Sequence, residues 1–135
     1  MSDGGPILVD TSVWIDFFGP RPGPAGEELR RLIAESEPVV LTGIVVAEVL
    51  QGLIHSVDVI EKYLGQWELL ALEGFEAYAR AAKMFRVARS RGLTLTTVDA
   101  LIAATALDYG ARLFTLDRDF EGLAKLLPLK LYRPR

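Results

Sequence analysis

A chain of 135 residues, half of them hydrophobic and 24% charged, is one domain's worth of sequence, 1–135, with enough apolar material for a core. No apolar run approaches the ~20 residues that span a bilayer. The opening Met1-Ser2-Asp3-Gly4-Gly5 has neither the basic nor the apolar part of a secretory leader, so a soluble cytoplasmic protein is expected, and the lack of cysteine excludes disulfides, thiolate nucleophiles and thiolate metal sites. A net charge of −3 does not advertise a nucleic-acid binder, although local fields matter more than the sum. Arginines outnumber lysines 11 to 4, which suits bidentate phosphate recognition and equally a genomic bias.

In chain order, Ile7-Leu8-Val9 reads as a short buried strand after Gly4-Gly5-Pro6. Thr11 and Ser12 are candidate N-caps of a short helix through Trp14, Ile15 and Phe17. The breaker cluster from Gly19 to Pro24 predicts a surface loop, and a helix follows from about Ala25 to Ala34. Val39-Val40-Leu41 is a second strand, and Thr42 caps a helix running through Glu48 to about His55. A helical piece from Val57 to Leu64 and a strand within Glu68 to Leu72 come next. Phe75 to Arg91 has Phe75, Tyr78, Ala82 and Phe85 at helical spacing, with Gly92 as its stop. Thr96 stands three before Asp99, a capping-box-like start for a helix to Tyr109 that Gly110 closes. Arg112 to Leu116 is a fourth strand, and Leu129-Lys130-Leu131 a possible fifth.

Short buried strands alternating with helices predict an α/β/α sandwich with a central, mostly parallel sheet of four to five strands. Ligands in such sheets bind at the carboxyl ends of the strands. Asp10 and Asp117 follow strands, Asp99 opens a helix and Glu48 interrupts an apolar helix. All four acids therefore belong at one edge. Carboxylates in apolar surroundings are costly unless compensated, and four that converge repel one another. A divalent cation is the simplest remedy. Oxygen ligands suit Mg²⁺ or Mn²⁺, and two such ions ~3.5–4 Å apart activate water and stabilise the leaving oxygen of a phosphodiester.

Each acid also has a structural reading: Asp10 and Asp99 as helix caps or first-turn acids, Glu48 on a solvent face with Ile44 and Ala47 turned inward, Asp117 as a turn residue. The only histidine, His55, lies two helical turns beyond Glu48 and is expected at a surface or interface. Trp14 and Trp67 are expected in the core, although tryptophans also stack bases. Arg80, Lys83, Arg86, Arg89 and Arg91 wind around their helix and read as a solvated surface in preference to one RNA track. A phosphate-cradling glycine loop and a G-x-S-x-G elbow are both absent from the sequence.

Ile7 to Asp16, Thr42 to Gly52, Asp99 to Ala106 and Leu113 to Phe120 resemble, in order, the motifs of PIN-domain nucleases, and the length is similar to that of VapC-type toxins. The resemblance spans essentially the whole chain; each motif is weak alone and the four in order are specific. It implies a Mg²⁺- or Mn²⁺-dependent endoribonuclease with metal-site acids at Asp10, Glu48, Asp99 and Asp117. Thr11 or Ser12, and Thr115, would hold a metal-bound water, and Arg118 would orient a phosphate. Asp119 is the rival of Asp117, which is favoured because it ends a strand while Asp119 is expected to cap the next short helix. The resemblance further implies an RNA substrate, a homodimer and a VapB-type antitoxin that places a basic side chain at the acidic pocket or blocks metal access. The alternatives are a non-catalytic binding or scaffold module and a phosphatase with Asp10 as nucleophile. The latter lacks the expected second acid, because Thr11 and Ser12 follow Asp10.

Overall fold

The computed structural model describes residues 4–134. The leader expectation at Met1 to Asp3 and the carboxyl-terminal Arg135 lie outside the described residues. Five parallel strands form one sheet: β1 (Ile7–Val9), β2 (Val39–Thr42), β3 (Leu69–Leu70), β4 (Arg112–Phe114) and β5 (Lys130–Leu131), in the order β3-β2-β1-β4-β5. The central strand β1 pairs with β2 through Ile7↔Val39 and with β4 through Ile7↔Arg112, and all three of its residues are buried. Continuous apolar runs of this kind are what a sheet covered on both faces requires.

The covering helices are α1 (Thr11–Phe18), α2 (Pro24–Ala34), α3 (Gly43–Gln51), α4 (Val57–Leu64), α5 (Phe75–Ser90), α6 (Thr97–Asp108) and α7 (Asp119–Ala124). Asp16, the one charged residue of α1, accepts hydrogen bonds from the backbone N–H of Gly23 (3.1 and 3.0 Å) and Gly26 (2.7 Å). Its carboxylate thus serves the unpaired donors at the start of α2. Gly26 is needed there, since a Cβ would stand 3.0 Å from both the Asp16 carboxylate and the Phe17 backbone. Trp14 is fully buried, and Trp67 packs on it with ring centroids 5.3 Å apart, beside Phe17, Phe18 and Tyr63. Trp14 is a core residue, as the sequence led one to expect, and Trp67 is half-buried against that core.

Several boundaries differ from the sequence reading. The Glu48 helix stops at Gln51 with Gly52 as its cap, and Ser56 turns into the left-handed region (φ 62°) before α4. His55 is therefore exposed in a connection and is not on that helix. The strand within Glu68 to Leu72 shrinks to two residues, and β4 ends at Phe114, not Leu116, so Asp117 lies three residues past its strand.

The largest correction concerns α5. It buries Ala77, Ala81, Met84 and Ala88, whereas Phe75, Tyr78 and Ala82 are exposed and Phe85 is half-buried. Small side chains let α5 lie close against α6, whose own buried face is rich in alanine (Ala100, Ala103, Ala104, Ala106). Close packing of two small-residue faces outweighs the burial of bulkier groups on another stripe. On the same helix Arg80 pairs with Asp108 at 2.9 Å and Arg89 lies over the Phe85 ring.

Candidate active site

Because every strand is parallel, the segments that leave β1, β2 and β4 emerge at one edge of the sheet. Asp10 leaves β1 there, α3 carrying Glu48 leaves β2, and the turn of residues 115–118 leaves β4. Asp99, in the first turn of α6, faces Asp10 closely enough for its charge to act on it.

Asp10 is the buried member, at 6% exposure. Its Oδ2 accepts hydrogen bonds from the Thr115 hydroxyl at 2.8 Å and the Ser12 hydroxyl at 3.0 Å. Burial pushes the carboxyl above its ordinary value; the bonds from Thr115, Ser12 and the Thr11 backbone pull it back, and the Asp99 charge adds to the rise. Thr11 and Ser12 were expected as N-caps, but the N-cap position of α1 is Asp10 itself and no side chain caps that helix. Both hydroxyls serve the acids instead: Thr11 donates to Oε1 of Glu48 at 2.7 Å, which links the first and second acids through one side chain. Glu48 is half-buried and Ala47 is exposed, the reverse of the solvent-face reading.

Asp99 closes the anticipated capping box: it receives the Thr96 backbone N–H at 3.3 Å, and its own N–H goes to the Thr96 hydroxyl at 3.1 Å. One carboxylate oxygen is engaged in this way, and the residue remains half-buried. Asp117 is also half-buried, and its Oδ1 accepts the Asp119 backbone N–H at 2.9 Å. Asp119 is the first residue of α7 and Arg118 its N-cap, so Asp119 does not cap that helix; Asp117 instead takes the first helical N–H. The preceding residues are held by hydroxyls: the Leu116 N–H donates to Ser12 Oγ and the Asp117 N–H to Thr115 Oγ1, each at 3.0 Å. Arg118 is exposed and directs its field toward Glu121.

Among the described residues no Lys, Arg or His pairs with Asp10, Glu48, Asp99 or Asp117; the five ion pairs there all involve other acids. Among the described residues, too, no three acids lie together closely enough to hold one ion between them. The arrangement joins Asp10 to Glu48 through Thr11, and to Asp99 through space, while Asp117 turns toward its own helix. An all-oxygen donor set with a buried, unneutralised carboxylate fits a hard divalent cation that keeps several waters and takes one or two carboxylates. The family resemblance implies a metal-bound water for these hydroxyls. Their observed partners are carboxylates and amides, which the D-T-S spacing alone does not reveal.

The comparisons bear on the same segments. The model of the PIN domain family matches residues 7–126. The VapC ribonuclease Mb1587 of Mycobacterium bovis is 30% identical over 128 residues, covering 92% of this chain and 96% of that protein. The structure of FitAcB from Neisseria gonorrhoeae superposes with a TM-score of 0.73 at 25% identity, covering 94% of this chain and 96% of the other. A toxin–antitoxin complex from Klebsiella pneumoniae, at 24% identity, shares the fold with a TM-score of 0.65 over 93% of this chain and 99% of the other. The buried strand-end aspartate, the glutamate on the helix after the second strand and the aspartate opening α6 all fall inside the matched span, and the chain belongs to the PIN domain family.

Proposed function

We propose that this chain is a metal-dependent endoribonuclease and the toxin member of a VapBC-type toxin–antitoxin pair. The observation that carries the proposal is the Asp10 carboxylate: buried, facing Asp99, and without a basic partner among the described residues. Such a group serves no purpose in stability, because burial penalises its charge. The ribonuclease relative at 30% identity supports RNA as the substrate.

Asp10 and Asp99 would hold a Mg²⁺ or Mn²⁺ ion, with Glu48, positioned by Thr11, as a direct ligand or one acting through water. When bound, the ion supplies Lewis-acid stabilisation of the phosphoryl oxygens and a water acidified for attack. Asp117 holds the start of α7 in place and borders the site, and Arg118 beside it is free to meet a substrate phosphate. Hydrolysis in this manner leaves a 3′-hydroxyl and a 5′-phosphate on RNA in the cytoplasm.

The same unneutralised acids suit an antitoxin that brings a basic side chain into the pocket, and the toxin–antitoxin complex among the structural neighbours supports such a partner. For a homodimer, the support is an apolar face at the β3 edge. Leu69, Tyr78 and Tyr109 are exposed there, beside a groove of about 320 Å³ lined by Ile44, Leu70, Leu72 and Leu101. Tyr109 is anchored to this edge through a hydrogen bond to the Ala71 carbonyl.

The test is cleavage of single-stranded and looped RNA by the purified chain with Mg²⁺, with Mn²⁺ and with EDTA, alongside Asp10→Asn. Metal-dependent cleavage that EDTA abolishes and Asp10→Asn lowers by about 100-fold or more is expected, beyond the usual cost of losing an outer-sphere partner. Cleavage that survives both chelation and substitution would refute the metal site, and RNA binding with no cleavage in any metal supports a scaffold module.

A further inference from the structure

The two hydroxyls on Asp10 do more than satisfy a buried acid. Both bond the same oxygen, Oδ2, from opposite ends of the sequence: Ser12 from the first turn of α1 and Thr115 from the turn after β4. Among the described residues no side-chain donor bonds Oδ1, and the carboxylate's further partner is the Thr11 backbone N–H. Each hydroxyl also accepts a backbone N–H from the turn after β4, Ser12 Oγ from Leu116 and Thr115 Oγ1 from Asp117. A hydroxyl has one proton to donate and two lone pairs to accept. The direction of both chains is therefore set: the amides of the turn donate to the hydroxyls, and the hydroxyls donate to the carboxylate. Reversal is impossible because an ionised carboxylate only accepts and a backbone N–H only donates.

We propose that Ser12 and Thr115 are positioning residues that form a two-hydroxyl clamp on Asp10, occupying Oδ2, presenting Oδ1 as the oxygen for a divalent cation, and tying the 115–117 turn to the metal site. The clamp rests on the metal-dependent reading of the site given above. It makes Asp10 a one-oxygen ligand of fixed orientation, and it couples the order of the turn carrying Asp117 and Arg118 to the acid on β1. Bonds of this kind to the non-ligating atom of a metal ligand fix its orientation, and their loss typically costs 10–100-fold in metal affinity. In Thr115→Ser and Ser12→Thr both bonds of the altered residue are retained; in Thr115→Val and Ser12→Ala both are lost, with little change in volume.

The experiment measures Mn²⁺ binding by calorimetry, single-turnover RNA cleavage, and amide hydrogen exchange of Leu116 and Asp117 without metal, in the wild type and these four variants. Thr115→Val and Ser12→Ala are expected to lose about 10-fold or more in Mn²⁺ affinity. They should lower kcat with KM for RNA little changed, and speed exchange at Asp117 and Leu116 respectively, while the hydroxyl-keeping variants recover both affinity and protection. Thermal melting reports folding in each case. Wild-type affinity and wild-type exchange in Thr115→Val and Ser12→Ala, beside a wild type that binds Mn²⁺ and cleaves RNA, overturn the clamp alone. A wild type that neither binds Mn²⁺ nor cleaves overturns the clamp and the nuclease reading together.

Discussion

Asp10 and Asp117 follow two strands that are hydrogen-bonded neighbours, and a sequence reader would treat them as equals. Their surroundings are opposite. Asp10 leaves β1 at its last residue, is buried, and takes its bonds from side-chain hydroxyls that come from two separate segments. Asp117 stands beyond the end of β4, is half-buried, and accepts a local amide two residues on. A carboxylate that accepts the first amide of the next helix has a structural occupation, since it satisfies a donor with no partner inside the helix. One that is buried, repelled by a neighbouring acid and held by two hydroxyls and the Thr11 backbone has no such occupation, which points to chemistry.

The contrast breaks if the two aspartates respond alike to substitution. The largest difference expected is in activity: Asp10→Asn lowers RNA cleavage by about 100-fold or more, whereas Asp117→Asn, which keeps an amide oxygen for the first helical N–H, lowers it by about 10-fold. Equal losses in a direct kinetic comparison would place both in the same role. Next in size is the response of stability to metal. At 100 times its dissociation constant, Mn²⁺ is expected to add about 2.7 kcal/mol to wild-type unfolding, nearly all of that to Asp117→Asn, and little to Asp10→Asn. Melting curves with and without Mn²⁺ would show the opposite order if Asp117 were the main ligand.

The smallest effect is on the metal-free protein. Burial raises the Asp10 carboxyl above its ordinary value, so between that value and the raised one the folded chain keeps a proton that the unfolded chain releases. Stability therefore falls as pH rises through this window, and the loss is complete once pH has passed the raised value. Asp10→Asn is expected to raise stability in EDTA above the raised value, with the gain disappearing below the ordinary carboxylate range. Urea unfolding across a range of pH checks the sign; an Asp10→Asn advantage that shrinks as pH rises contradicts it.

Much of this was legible in the residues because it rests on local physics. The run Ile7-Leu8-Val9 is a strand buried on both faces, and the Thr96/Asp99 spacing is a capping box realised with both bonds. Thr42 caps α3 through the Val45 N–H, as expected from its position before an apolar helix. Where the reading failed, two elements competed for one surface. The α5 stripe was chosen by bulk, Phe75, Tyr78, Ala82 and Phe85, but α6 offered an alanine face and closeness favoured Ala77, Ala81 and Ala88. Leu53 and Ile54 continue the apolar run toward His55, but Gly52 closes the Glu48 helix at Gln51.

The sequence by itself determined the alternation of strands and helices, the edge at which the acids gather and the family to which the chain belongs, since these depend on periodicity, caps and the order of motifs along one chain. The tertiary structure alone decided what each acid does there. Ser12 and Thr115 meet on one oxygen of Asp10 although more than 100 positions separate them. The parallel pairing of β1 with β4 brings them together, and no local propensity encodes the direction in which a hydroxyl points across two strands.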